Sequence, residues 1–263
     1  MNLNLENKTA LVTASTKGIG KAVAEKLASE GCNVAVCSRT KDDLETTAID
    51  LKRKYSVEVS WSVCDLSKSG DIENTFNVVL KQFGRIDILV NNCGGPSYGF
   101  FMDLPEEEWT AAFEQVFLST VRFTKLVLPG MVTNQWGRIV NITSVSVKQP
   151  IDNLILSNSF RSGIIGFAKT LSNDFAMHNI TVNNVAPGYT LTNRLYDLAV
   201  SRAKTSNKSH EGVLAEIAKQ IPMNRLASPE EIGALVTFLC SNQAGYITGN
   251  TIHIDGGLVK GLF

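Results

Sequence analysis

The sequence predicts a single α/β domain in which seven parallel strands are covered by helices on both faces. Three observations carry that reading. Seven apolar runs of strand length recur along the 263 residues, stretches of helical periodicity separate them, and no repeat, low-complexity tract or linker divides the chain. Residues 1–263 are therefore expected to form one unit with a substantial core.

The first strand is "TALVT" (9–13), followed by a turn of small residues and the helix "GKAVAEKLASEG" (20–31), whose Ala22, Val23, Leu27 and Ala28 share one face and whose Gly31 ends it. Strands follow at "NVAVCS" (33–38), "VEVSWSVCD" (57–65) and "IDILVNN" (86–92). Two long apolar helices near 106–130 and 152–176 bracket "GRIVNITS" (137–144), and "ITVNNVAP" (180–187) comes next. The polar interval 193–220 reads as helical at both ends with a break near "TSNKSH", as expected of a substrate lid. In "SPEEIGALVTFLCS" (228–241), Ser228 is a natural N-cap, Pro229 fits the first helical position and Glu231 completes a capping box before the last strand, "NTIHID" (250–255).

Composition narrows the function. Lys plus Arg and Asp plus Glu each number 25, so no net field favours nucleic acid or a membrane surface, and a small-molecule partner is expected. The odd set Cys32, Cys37, Cys64, Cys93 and Cys240, with no C-x-x-C pair and only three histidines, reads as reduced thiols with neither a disulfide frame nor a metal site. The N-terminus lacks a basic region followed by a long apolar one, and no run approaches the ~18 apolar residues of a membrane span; a soluble, cytoplasmic protein is expected.

The stretch "TALVTASTKGIGKAVAEKLA" is strand, small-residue turn and helix, where glycines let backbone N–H groups approach a pyrophosphate at a helix N-terminus. Ala14, Ser15, Lys17, Gly18, Ile19 and Gly20 form that turn. The second strand ends on Ser38 and Arg39 with no acid to bind a free ribose 2′-hydroxyl, and Lys17 with Arg39 can bracket a 2′-phosphate. NADP(H) is therefore expected in preference to NAD(H).

With these motifs, "CDLS" (64–67), "NNCGG" (91–95), "NNVAPGYTLT" (183–192) and "IDGG" (254–257), the chain resembles the short-chain dehydrogenase/reductase family from Leu5 to Gly257, a Rossmann-type fold, and in particular its 3-oxoacyl-carrier-protein-reductase-like members. The resemblance implies that Asp65, with Leu66 beside it, holds the adenine, that Asn91 and Gly94 line its ribose, and that Pro187, Gly188, Thr190 and Thr192 meet the nicotinamide carboxamide. Ala14 stands where the family has a glycine, and is expected to avoid positive φ. Cys93 replaces an alanine, with no neighbouring cation in the sequence to activate it.

At the chemical end the family uses a Ser, a Tyr thirteen residues on, a Lys four beyond that, and an Asn on an earlier helix. From Ser144, these positions hold Ser157 in "SNSFR", Arg161 and Val116. A serine hydroxyl is a far weaker acid than a phenol, and a guanidinium does not shuttle protons. Ser144 can orient a carbonyl oxygen and Arg161 can hold the nicotinamide ribose, while Tyr189, Tyr98 or water held by Ser144, Ser157 and Arg161 are the candidate proton donors. Two readings stay open: an NADPH-dependent carbonyl reductase, acting on a 3-oxoacyl or similar compound with a rebuilt proton path, or a catalytically silent dinucleotide sensor or scaffold. No cationic cluster marks an acidic substrate. Self-association as a homotetramer or dimer is expected from the two long helices.

Overall fold

The computed structural model describes residues 2–206 and 208–262. Its seven strands, β1 (Thr9–Val12), β2 (Asn33–Ser38), β3 (Val59–Val63), β4 (Ile88–Asn91), β5 (Gly137–Ile142), β6 (Ile180–Pro187) and β7 (Thr251–Ile254), form one parallel sheet in the order β3-β2-β1-β4-β5-β6-β7. The order reverses between β1 and β4, so the C-terminal edge opens there into the crevice where α/β sheets bind ligands. The near-continuous burial of β1, β4, β5 and β6 fits a sheet covered on both sides.

Helices α1 (Gly18–Ser29) and α9 (Pro229–Cys240) lie on one face, where Val23, Leu27, Val236 and Leu239 meet Val12 and Val34 of the sheet. On the other face α3 (Ser69–Phe83), α5 (Ser119–Thr133) and α6 (Ile155–Phe175) bury Ile72, Phe123, Met131 and Ala168 against Leu11, Leu89 and Ile139. Helix α2 (Lys41–Tyr55) connects β2 to β3. Helix α4 (Glu106–Ala112) runs through a π-helical stretch, Phe113–Leu118, into α5, so the first long helix is continuous to Thr133. Gly233 lets α9 approach α1: a Cβ there would stand 2.9 Å from the carbonyl oxygen of Ala22.

The capping box of α9 forms as expected, with Ser228 Oγ accepting from the Glu231 amide at 3.4 Å and the Ser228 amide donating to Glu231 at 2.9 Å. The polar interval folds as α7 (Asn193–Ser206) and α8 (His210–Lys219), joined across a break that includes Asn207, which lies outside the described residues. Leu195, Ala199, Val213 and Ile217 give these two helices a small core of their own, separate from the sheet. All five cysteines carry free thiols.

The register also places three asparagines side by side. Asn91, Asn141 and Asn184 pair across β4, β5 and β6, and Asn184 pairs with Thr251 of β7. Their amides pass hydrogen bonds along the row, Asn91 Nδ2 to Asn141 Oδ1 at 2.9 Å, Asn141 Nδ2 to Asn184 Oδ1 at 2.9 Å and Asn184 Nδ2 to Thr251 Oγ1 at 3.2 Å. This polar row pins strand register at the end of the sheet that carries the site.

Candidate active site

The turn after β1 is closed by sterics and by one side chain from the residue that follows β4, Asn92. Gly18 has φ +55°, and a Cβ on Gly20 would stand 2.3 Å from the Ala14 carbonyl oxygen and 2.7 Å from Asn92 Nδ2, distances no side chain tolerates. Asn92 Nδ2 donates to the carbonyls of Thr13 (3.2 Å) and Ala14 (3.1 Å), while Thr13 Oγ1 donates to the Asn92 carbonyl at 2.6 Å. Ala14 itself adopts φ 47°, against the expectation that it would avoid the left-handed region. Asn92 and Gly20 hold the carbonyl of Ala14 in that orientation, and the alanine accepts a strain of about 1–2 kcal/mol. Ser15 is buried, with its hydroxyl donating to the Val12 carbonyl at 2.7 Å and accepting from the Cys37 amide at 3.2 Å, and its own amide donates to the Cys37 carbonyl at 3.1 Å, so it braces β1 against β2. No acid lies in the first turn of α1, leaving its N-terminal N–H groups available to an anion.

Lys17, Ser38, Arg39, Asp65, Leu66 and Gly94 line one cavity at the outer end of this turn. Asp65 accepts from both the amide (3.0 Å) and the hydroxyl (2.8 Å) of Ser67, and these bonds, with Lys68 and Arg39 nearby, hold its carboxyl below the usual range. One neighbour escaped the sequence reading: Asp43, in the first turn of α2, sits 2.8 Å from Lys17 Nζ, so Lys17 shares its charge with an acid while Arg39 makes no ion pair among the described residues. The side chain of Asn91 does not reach this cavity. It belongs to the asparagine row, and what it can offer a ribose is its main chain.

The second cleft, about 200 Å³, lies where the loops after β4, β5 and β6 meet α6 and α7. Ser144 stands at the end of β5, its Oγ accepting from the Ser146 amide at 3.1 Å and keeping its own proton for a ligand. Ser157 and Arg161, one turn apart on α6, face the same cleft and are 6 % exposed each. Arg161 Nη1 donates to the carbonyls of Ile142 (2.8 Å) and Thr143 (3.2 Å), and Nη2 lies 3.7 Å from Cys93 Sγ. The guanidinium expected on a ribose thus also clamps the strand end that presents Ser144, and Cys93, expected to have no cation near it, has one. Val116 is fully buried within the π-helical stretch and gives the cleft no polar group.

Ile19, Pro187, Gly188, Thr190 and Thr192 border the cleft, with Thr192 Cγ2 3.2 Å from where a Gly18 Cβ would stand, so the loop after β6 closes over the glycine turn. Tyr189 packs on the small core of α7 and α8, and the Tyr98 ring lies under the guanidinium of Arg194, 4.8 Å from its centroid. Arg194 is the second residue the sequence reading passed over. The absence of a cationic cluster was a statement about neighbours in sequence; the fold brings Arg194 of α7 and Arg161 of α6 into one cleft.

The match to known proteins covers the whole of this architecture. Residues 13–259 fit the family model described as enoyl-(acyl carrier protein) reductase. The chain belongs to the short-chain dehydrogenase/reductase family. It is 34 % identical to the 3-oxoacyl-[acyl-carrier-protein] reductase of Aquifex aeolicus, over 98 % of this chain and all of that one. Identity to the NADPH-dependent reductase BacG of Bacillus subtilis is likewise 34 %, over 98 % and 100 %. The solved L-sorbose reductase of Gluconobacter frateurii, a complex with NADPH and L-sorbose, superposes with a TM-score of 0.96 at 33 % identity and full coverage of both chains.

Proposed function

We propose that the protein is an NADPH-dependent reductase of a small carbonyl compound whose proton is delivered by water. The observation that carries this is the single cleft that joins the glycine turn and the loop after β6 to Ser144, Ser157 and Arg161. Relatives named as NADPH-dependent enzymes support the choice of cofactor, as do Arg39 and Lys17 in the outer cavity.

The turn and the N-terminus of α1 would hold the pyrophosphate, Arg39 and Lys17 the 2′-phosphate, Asp65 the adenine, and Thr190 and Thr192 the carboxamide. When bound, the cofactor supplies a hydride from its dihydronicotinamide ring to the carbonyl carbon. The hydroxyls of Ser144 and Ser157 donate hydrogen bonds to the carbonyl oxygen, and these strengthen as negative charge develops on it. Arg161 adds fixed positive charge from its clamp on Ile142 and Thr143. With serine in the tyrosine position, the alkoxide takes its proton from a water molecule, and the hydroxide leaves to solvent. Tyr98 and Tyr189 are walls in this reading.

The proposed assembly is a homotetramer or dimer. Phe113, Phe117 and Phe160 form an aromatic face across the α4–α5 helix and α6, with centroids 5.7 Å apart, and Phe113 and Phe101 are 38 % and 65 % exposed. Light scattering that gives a monomer of 28.6 kDa at micromolar concentration would reject it.

The functional test is NADPH oxidation followed at 340 nm against a carbonyl panel beside a cofactor titration. Turnover of one carbonyl compound with tight NADPH binding supports the reductase. Tight binding with no turnover across the panel favours the silent sensor, to which Val116, Ser157 and Arg161 in place of the family's residues would then point.

A further inference from the structure

We infer that the compound received by this cleft is an anion, a free oxo acid whose carboxylate is met by Arg194; the inference rests on the reductase reading for its carbonyl group but not for its charge. Arg194 is held where a ligand would lie. Its Nη1 donates to the Gly95 carbonyl at 2.8 Å and its Nη2 to the Pro96 carbonyl at 2.9 Å, and its plane covers Tyr98. Room for it is made by Gly95, where a Cβ would stand 2.2 Å from the guanidinium carbon. Two carbonyl contacts use two of the five N–H groups, which leaves three for further acceptors.

The charge around it is one-sided. Arg161 lies in the same cleft, no Asp or Glu lines it, and among the described residues neither guanidinium has an ion pair. Burial makes the charge of Arg194 harder to hold, Tyr98 opposes that, and Arg161 adds to it. Arg194 keeps an exposed edge at the mouth of the cleft while Arg161 is buried, and two like charges facing one largely apolar opening with no acid beside them favour an anionic ligand. The rest of the lining, Ile151, Leu154, Leu195 and Leu198, suits a short apolar body. A planar carboxylate matches the fork of one guanidinium, whereas a phosphate would leave oxygens against that apolar wall. Because Arg194 opens α7, ligation of the carboxylate would also fix the lid over the carbonyl.

The experiment compares 3-oxobutanoate and 2-oxopentanoate with their methyl esters at saturating NADPH, in the native protein and in Arg194→Met and Arg194→Lys. An acid should be preferred over its ester by about 100-fold in kcat/KM, because the ester leaves the guanidinium unpaired. Arg194→Met should shrink that preference below about tenfold, through KM for the acid and with a smaller change in the ester constants, and Arg194→Lys should be intermediate. NADPH affinity should stay within about twofold in both variants. Equal use of acid and ester by the native protein overturns the inference whether or not the variants fold. So does an equal loss for acid and ester, which would make Arg194 a strap between α7 and the loop after β4, or a loss of NADPH affinity with the acid preference intact. Butanoate binding to the protein saturated with NADP+, measured by calorimetry, separates the two claims. Arg194-dependent butanoate binding without turnover keeps the anion site and removes the reductase; turnover of neutral ketones without acid preference does the reverse.

Discussion

Replacing Arg39 by alanine should weaken NADPH binding about tenfold and leave NADH binding within about twofold, a loss near 1.4 kcal/mol for one charge-assisted contact at an exposed site. The magnitude follows from how the two cations of the outer cavity are used. Lys17 already faces Asp43 at 2.8 Å, so a 2′-phosphate gains only part of its charge, whereas Arg39 makes no ion pair among the described residues. Arg39 should therefore carry most of the discrimination, and the native protein should bind NADPH at least about tenfold more tightly than NADH. Asp43→Asn frees Lys17 and should raise NADPH affinity about two- to fivefold, consistent with an exposed ion pair worth less than about 1 kcal/mol. Arg39→Asp should invert the preference. Titration followed by fluorescence of the reduced nicotinamide, at low and high salt, reads all four proteins, and the preference should shrink as salt screens the phosphate. Equal affinity of the native protein for both dinucleotides, or an Arg39→Ala loss shared equally by them, would refute the reasoning.

Ala14→Gly should relieve the left-handed strain and raise the melting temperature by about 2–4 °C, the shift that about 1 kcal/mol produces in a chain of this size, while Gly20→Ala should lower it and abolish NADPH binding; calorimetry reads both. Glu231, gripped by Arg225 at 2.7 and 2.8 Å and by the Ser228 amide, has its carboxyl pulled down to about 2. A folded value below the unfolded one stabilises the fold above about pH 4.5 and is lost as pH falls toward 2, so Glu231→Gln should cost about 1 kcal/mol at pH 7, discounted for exposure, and the gap should close over that acid range in urea titrations. Ser157→Tyr with Arg161→Lys should raise carbonyl reduction and bring a pH–rate inflection that the native protein lacks, more strongly with Val116→Asn; unchanged rates in a folded triple variant would mean that proton supply does not limit turnover.

The sheet was legible because each strand is a short apolar run set off by helical periodicity, and Asn33–Ser38 and Ile180–Pro187 agree residue for residue with the runs in the sequence. Val59–Val63 is shorter than "VEVSWSVCD" at both ends, where Val57 and Glu58 lead in from α2 and Cys64 and Asp65 turn into the site loop. The cofactor turn was legible for a similar reason, since glycine spacing after a strand has a local meaning. What escaped was whatever depends on distant chain meeting: Asn92 reaching back to Ala14, Asp43 turning onto Lys17, and Arg194 arriving over Gly95. Ala14 was misjudged because its own preference favours negative φ, and the bonds that override it come from the residue that follows β4. Asn91 and Asn92 could have been told apart by strand alternation, which turns the first into the sheet row and the second toward the turn.

In the proposed reaction a hydride reaches a carbonyl carbon in the cleft beside Ser144 without a tyrosine acid. The most direct measurement is turnover of an oxo acid with NADPH deuterated at the transferable position of the nicotinamide, with the product analysed by mass and by NMR at the carbinol carbon. One deuterium on that carbon, a rate that is unchanged in Tyr98→Phe and Tyr189→Phe, and a loss of rate in Ser144→Ala are the predicted results. Deuterium retained on the cofactor while NADPH remains tightly bound, or a rate abolished by either tyrosine substitution alone, would contradict the account.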